Sequence, residues 1–209
     1  MKVPGAETFT SEANVSRETL ERLKIYAALL EKWNPAINLV APSTINDLWT
    51  RHFLDSTQVF GLLPENARNW CDVGTGGGFP GVVVALMAKE LAPDLHVTCI
   101  ESDIRKATFL RTVLRETGVE ATVISDRIEK APPQNADVIS ARALASLNKL
   151  LGFAERHLSP NGICLLPKGV KHQEEIDEAL ENWCFEVDKI PSVTNPDAVI
   201  LSVGAIKRA

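Results

Sequence analysis

The chain has no excess of positive charge, no grouped cysteines and no long apolar run, and each absence closes a class of function. Its 22 Lys and Arg residues are outnumbered by 27 Asp and Glu, for a formal net charge of -5 over 209 residues. An overall field that attracts nucleic acid is thereby excluded, so any RNA partner must be met by a local basic face. Cys71, Cys99, Cys164 and Cys184 stand alone, without Cys-x-x-Cys or Cys/His spacing, and predict no metal site. Three of them lie in apolar runs, where a free thiol behaves as a small hydrophobe. That usage suits a reducing compartment. The N-terminus carries Glu7, Glu12, Arg17 and Glu18 where a secretion signal needs apolar residues. The longest wholly aliphatic stretch, Val82 to Ala88 with its Met87, is far too short to span a bilayer. The expected location is the cytoplasm, with no membrane partner.

What remains is an ordinary globular composition, 45% hydrophobic and 23% charged, in a chain of one-domain size. Residues 1 to about 15 lack periodicity and read as a loose tail. From Ser16, a plausible N-cap, Leu20, Leu23, Ala27 and Leu30 recur at helical spacing. Pro35 predicts the end of that helix near Trp33-Asn34, because proline disfavours helix at the residue before it. Ser43 to Arg51 and Asp55 to Leu63 read as two further short helices, making residues 1–65 a tail and helical cap. Over 66–209 the pattern alternates. Strands are predicted at Trp70–Val73, Leu95–Ile100, Ala121–Ser125, Asp137–Ser140 and Ile163–Leu166. Helices are predicted at Gly81–Leu91, Ile104–Thr117, Leu144–Leu158 and His172–Trp183. Two last strands, Cys184–Ile190 and Ala198–Val203, are joined without a helix, which favours an antiparallel hairpin. The fold class is therefore α/β: a mostly parallel, Rossmann-like sheet of seven strands with an antiparallel C-terminal hairpin, as in class I methyltransferases.

The first strand runs into Asp72-Val73-Gly74-Thr75-Gly76-Gly77-Gly78-Phe79-Pro80-Gly81, and a helix follows. Glycines serve where the chain turns sharply and a ligand lies against backbone. Proline suits a first helical turn, and the helix N-terminus is expected to direct partial positive charge into the cleft, where a ligand carboxylate would sit. Gly76-x-Gly78-x-x-Gly81 also satisfies the dinucleotide fingerprint, with Glu101 placed to hydrogen-bond a ribose. Asp72 discriminates. A carboxylate two residues before the first glycine repels a pyrophosphate but suits S-adenosylmethionine, which has a sulfonium and an ammonium group and no phosphate. Capping of the loop is the structural alternative for Asp72.

For the methyl acceptor, an Asn/Asp-Pro-Pro-aromatic segment common in enzymes acting on exocyclic amines is missing. Ser140-Ala141-Arg142-Ala143 stands in its place. A C5-methylating cysteine is not expected, because Cys164 lies inside an apolar strand. Arg142 at the cleft mouth and Lys168 suit an acceptor that already has a free lone pair, such as guanine N7, which needs positioning and no general base. The alternative for Arg142 is a solvated charge at a helix start.

Several motifs together resemble one family. They are Trp33-Asn34 with Asn38-Leu39, Arg51-His52-Phe53-Leu54-Asp55-Ser56, the Gly74–Gly81 loop, Arg105-Lys106 with Phe109-Leu110-Arg111, Ser140–Ala143, and Lys168-Gly169. The chain resembles the bacterial 16S ribosomal RNA guanine-N7 methyltransferase G family, also called glucose-inhibited division protein B. The resemblance implies methylation of a guanine N7 in the 530 loop of 16S rRNA. It implies cofactor contacts at Gly74, Phe79, Glu101, Ser102, Asp103, Ile128, Glu129 and Arg142, to which the loop adds Asp72, Gly76 and Gly78. Glu101 departs from the family, where aspartate is common, and the segment Ala88 to Leu95 is longer.

Arg51, His52, Arg105, Lys106 and Lys168 are the candidate RNA contacts, with Arg142 a positioning residue for the transfer. The alternative for Arg51 and His52 is to tie the cap to the sheet, with Asp55 an ion-pair partner for Arg51. Phosphate contacts of this kind position RNA without reading its sequence. Because bulk charge is unfavourable, the expected substrate is a small ribosomal subunit or an assembly intermediate, where shape and protein contacts replace it. Two rivals differ in kind: a nicotinamide-dependent oxidoreductase using the glycine loop, and a non-catalytic RNA-binding assembly factor.

Overall fold

The computed structural model describes residues 9, 12–13 and 15–209. Helix α1, Arg17–Ile37, starts where Ser16 Oγ accepts from the Thr19 amide at 2.9 Å. It runs past the predicted stop. Pro35 sits in the last turn, and the helix closes at Asn38, whose left-handed φ of 48° and amide bond to Asn34 O end it. The Asn34 side chain, buried, accepts from Val40 N at 2.9 Å and turns the chain back. A 3-10 turn at Pro42–Thr44, a π-helical segment at Leu48–Leu54 and helix α2, Asp55–Phe60, complete the cap. Most of the predicted tail lies outside the described residues. Phe9, however, is fully buried, its ring 5.3 Å from Trp49 and 6.4 Å from Phe53.

The rest alternates as expected: β1 Asn69–Val73, α3 Gly81–Leu91, β2 His96–Ile100, α4 Ile104–Thr117, β3 Thr122–Ile124, β4 Ala136–Ser140, α5 Leu147–His157, β5 Leu158–Lys168, α6 His172–Leu180, β6 Trp183–Pro191 and β7 Val199–Arg208. The seven strands lie in the order β3-β2-β1-β4-β5-β7-β6. The first five are parallel; β7 runs antiparallel to both β5 and β6. The order reverses between β1 and β4, which opens a crevice at the carboxyl ends of those strands.

Alternation along β1 decides which side of the sheet each residue serves. Cys71 and Val73 join the core beneath α5 and α6, with Ile139, Leu151 and Trp183. Trp70 joins the core that holds α3, α4 and the cap, with Leu23, Tyr26, Phe53 and Phe109. Asp72, in step with Trp70, therefore points beneath α3. The cap and the sheet share that core, with Tyr26 stacked on Phe79 at 5.3 Å.

Candidate functional site

At the carboxyl edge of the strands lies a cavity of about 1120 Å³, larger than most single-ligand pockets. One half is walled by Gly74–Gly77, Glu101, Ser102 and Asp126–Glu129; the other by Asp47, Thr50 and Arg51 of the cap and Thr194–Pro196 of the β6–β7 turn. Phe79 and Arg142 also line it.

The glycine loop is held from behind. The Asp72 carboxylate is fully buried, accepting from Gly81 N at 3.1 Å and from Ser140 Oγ at 2.6 Å. Trp70 Nε1 donates to the same Ser140 oxygen at 2.8 Å. Burial pushes the Asp72 carboxyl up to about 6 against those hydrogen bonds. From the cleft side, Glu101 accepts from Gly76 N at 2.8 Å and from Asp103 N at 2.7 Å, fixing the loop to the end of β2. At Gly76, φ is +57° and an added Cβ would meet nothing nearer than Gly74 O at 3.8 Å, so the loop presents bare backbone to open space. Gly78 serves the cap instead: with φ +104°, an added Cβ would lie 2.1 Å from Tyr26 Oη, which donates to Gly77 O at 2.5 Å.

Arg142 is the junction between sheet and cap. Its Nη1 donates to Arg51 O at 3.0 Å and lies 3.4 Å from Asp55 Oδ2, and its guanidinium stands 5.0 Å over the Phe79 ring. Its Nη2 lies 2.6 Å from His52 Nδ1. A guanidinium only donates, so that imidazole nitrogen is bare and Nε2 carries the proton. Nε2 gives it to Thr44 Oγ1 at 2.9 Å, and Thr44 passes its own to Ala41 O at 2.8 Å. Burial first, then the charges of Arg142 and Arg51, bring the His52 pKa down to about 3. Burial raises the Asp55 carboxyl, opposed by Arg142.

These features can be set beside known proteins. The sequence profile of the family described as rRNA small subunit methyltransferase G matches residues 19–200. The chain belongs to that family. A relative named ribosomal RNA small subunit methyltransferase G from Ruegeria sp. (strain TM1040) is 56% identical over 197 residues, covering 94% of this chain and 96% of the relative. Another of the same name from Ruegeria pomeroyi is 50% identical over 208 residues, 100% of both chains. Among solved structures, a TehB-like SAM-dependent methyltransferase from Corynebacterium glutamicum superposes with a TM-score of 0.56 at 14% identity, over 86% of this chain and 97% of that one. A methyltransferase from Geobacter sulfurreducens does so at 0.56 and 13%, over 87% and 88%. The fold is that of class I S-adenosylmethionine-dependent methyltransferases.

For this member of the family, the structure gathers Gly74, Gly76, Phe79, Glu101, Ser102, Ile128, Glu129 and Arg142 around one cavity, with Arg51, His52, Lys106 and Lys168. Others sit elsewhere. Asp72 lies behind the loop, because strand alternation turns it beneath α3, and its carboxylate fills the α3 N-terminus that was expected to receive a ligand carboxylate. Gly78 faces Tyr26. Asp103 caps α4 and holds Arg105 in a pair at 2.8 Å, so Arg105 is a partnered surface charge. His52 ties the cap to Arg142. Asp55 pairs with Arg142 and not with Arg51, because the guanidinium reaches it from β4. Lys168 is engaged as well: its Nζ donates to Glu175 Oε2 at 2.6 Å and Ala145 O at 3.0 Å, bracing the start of α5. Arg127, Lys149 and the β6–β7 turn also line the cavity; a lone cation in a loop, like Arg127, or in the first turn of a helix, like Lys149 in α5, carries no sequence pattern that marks it.

Proposed function

We propose that the cavity binds S-adenosylmethionine in its glycine-loop half and that the chain methylates small-subunit ribosomal RNA, at a guanine N7 in the 530 loop of 16S rRNA as the family resemblance implies. A small ribosomal subunit or an assembly intermediate presents the nucleotide. The residues suit the cofactor: Gly76 leaves its backbone bare, Glu101 stands at the ribose-binding strand end, and Ile128, 8% exposed, offers an apolar face for adenine. The cofactor supplies a methyl group on a sulfonium, and the Asp72 and Glu101 carboxylates bring negative charge to both sides of the loop beside it.

One observation carries the choice of acceptor. The side chains around Phe79 and Arg142 with the chemistry to move a proton are committed: Tyr26 donates to Gly77 O, His52 is neutral with both nitrogens engaged, and Asp55 is held by Arg142. An acceptor with a free lone pair loses no proton in the transfer and needs only orientation, for which aligned reactants gain roughly 7–11 kcal/mol. Arg142 gives that orientation by locking cap, Phe79 and β4 end together.

The test is incubation of unmodified small subunits with labelled cofactor, followed by mass-spectrometric mapping. One methyl on a guanine N7 of the 530 loop is expected from the intact protein, and a greatly reduced yield from Arg142→Ala. Label on an exocyclic amine or on another loop would overturn the acceptor assignment. No label at all would favour the assembly-factor reading.

A further inference from the structure

The half of the cavity opposite the glycine loop is walled by two pieces of chain more than a hundred residues apart. One is the cap; the other is the β6–β7 turn, which closes on itself through Ser192 N to Ala198 O and Ala198 N to Asn195 O, both 3.0 Å. The sheet ladder does not reach from the turn to the cap, and side chains of α2 make the link. Gln58 Nε2 donates to Pro191 O at 2.7 Å, while its Oε1 accepts from Val193 N at 3.0 Å. The amide thus pairs with the turn's backbone as a neighbouring strand would.

Asp55, three residues earlier on the same face of α2, adds a second point. Its Oδ1 accepts from Thr194 Oγ1 at 3.3 Å, while Oδ2 meets Arg142. Helix α2 buries Ser56, Val59 and Phe60 in the core and leaves this pair to face the turn. A continuous line of interactions therefore runs from the turn through α2 to Arg142 and Phe79 at the middle of the cavity.

We infer that Gln58 is a positioning residue for the acceptor nucleotide: its two-bond clasp sets the β6–β7 turn as the far wall of the acceptor half. The inference rests on the cavity being the methyl-transfer site. Gln58 is partly exposed and Pro191 and Val193 are exposed, so water takes over their hydrogen bonds when the clasp is removed, and stability changes little. The position of the wall does change, and a displacement of about 1 Å in an aligned site costs on the order of 100-fold in rate.

The experiment compares the full-length wild type with Gln58→Ala and Gln58→Glu. Methyl transfer to unmodified small subunits, cofactor Kd by calorimetry and urea unfolding are measured on each. For Gln58→Ala, kcat/KM for subunits is expected to fall about 10- to 100-fold, with cofactor Kd unchanged within about two-fold. Gln58→Glu keeps the acceptor for Val193 N but sets a bare oxygen against the Pro191 carbonyl. The Pro191 carbonyl and the Asp55 carboxylate one turn away both disfavour its ionisation and raise its pKa above the ordinary value of about 4.3. Its activity relative to wild type is therefore expected to recover as pH falls from about 8 to about 5.5 and the glutamic acid regains a proton to donate. Wild-type activity from Gln58→Ala, equal loss of cofactor binding or folding, or a pH-independent Gln58→Glu ratio overturns the inference. Absence of transfer by the wild type instead sinks the methyltransferase reading on which it stands.

Discussion

Replacing Asp72 by asparagine separates the cost of its charge from its hydrogen bonds. The carboxylate is buried beneath α3, and burial raises its pKa from the ordinary 3.8 to about 6. Between those values the folded protein binds a proton that the unfolded chain has released. The stabilisation is therefore complete below pH 3.8 and is lost as pH rises through about 6. At ~1.4 kcal/mol per pH unit, the ionised form costs ~3 kcal/mol at pH 8 relative to a neutral group in the same place. Asparagine is that neutral group. Its oxygen still accepts from Gly81 N, and its amide turns to Ser140 Oγ, which already receives Trp70 Nε1. The Ser140 proton then loses its carboxylate partner, a loss of about 1–2 kcal/mol. Asp72→Asn is thus expected to be more stable than wild type by ~1–2 kcal/mol at pH 8, an increase in Tm of about 2–8 °C for a chain of this size. The difference shrinks as pH falls below about 6 and vanishes near about pH 5, where the cost of ionisation matches the lost hydrogen bond. Urea unfolding of both proteins from about pH 8 to about pH 5 measures it. The same substitution is expected to weaken cofactor binding, because it removes a negative charge from behind the glycine loop. A mutant less stable by the same amount at every pH would refute the reasoning, since the carboxylate would then carry no proton of its own in that range.

Gly78→Ala forces a side chain into φ +104° and against Tyr26 Oη; a loss of roughly 2–5 kcal/mol is expected from backbone strain and overpacking, read by urea unfolding. His52 is expected to remain neutral with its proton on Nε2 from about pH 5 to about pH 8, and nitrogen NMR showing titration near the ordinary value of about 6.5 would contradict the Arg142–His52–Thr44 relay. His157, fully buried, reaches the Ile128 carbonyl through Nε2 at 2.8 Å and so supports the proposed adenine wall from behind. His157→Leu is expected to raise the cofactor Kd about 10-fold, the cost of one buried unpaired carbonyl, with Gln restoring most of it; equal affinities would remove His157 from that role. Arg51→Ala with Lys106→Ala is expected to reduce the salt slope of RNA binding by about 0.7 for each phosphate no longer neutralised, and an unchanged slope would place those cations away from RNA.

The alternation of strands and helices was legible because each element carries its own periodicity, and the glycine loop because its composition has few other uses. What the sequence could not convey was direction. Asp72 and Glu101 both sit near strand ends, yet one residue of register sends the first beneath α3, while the second, just past β2, faces the cleft. Pro35 marked a helix end too early, because a proline in the final turn removes only one amide donor and Asn38 supplies the stop. The partners of Arg142 and Gln58 lie in distant segments, up to 135 residues away for Gln58, and no local pattern announces a long-range hydrogen bond.

The charges on the cavity wall explain how an acidic chain fits an RNA substrate. Arg142 and Lys168 are taken by Asp55 and Glu175. The remaining cations on the wall are Arg51, Lys106, Arg127 and Lys149, and the remaining acids are Asp47, Glu101, Asp126 and Glu129. The signs balance four to four, so the cavity has no strong attraction for a polyanion. Elsewhere Arg22, Arg68, Arg105, Arg115 and Arg208 each face an acid. A balanced wall serves a cationic cofactor on one side and a phosphate backbone on the other, at the expense of affinity for RNA in general. Such a wall fits the proposed substrate, a folded small-subunit particle in which shape takes the place of bulk charge, and the clasped β6–β7 turn is the surface proposed to meet that shape.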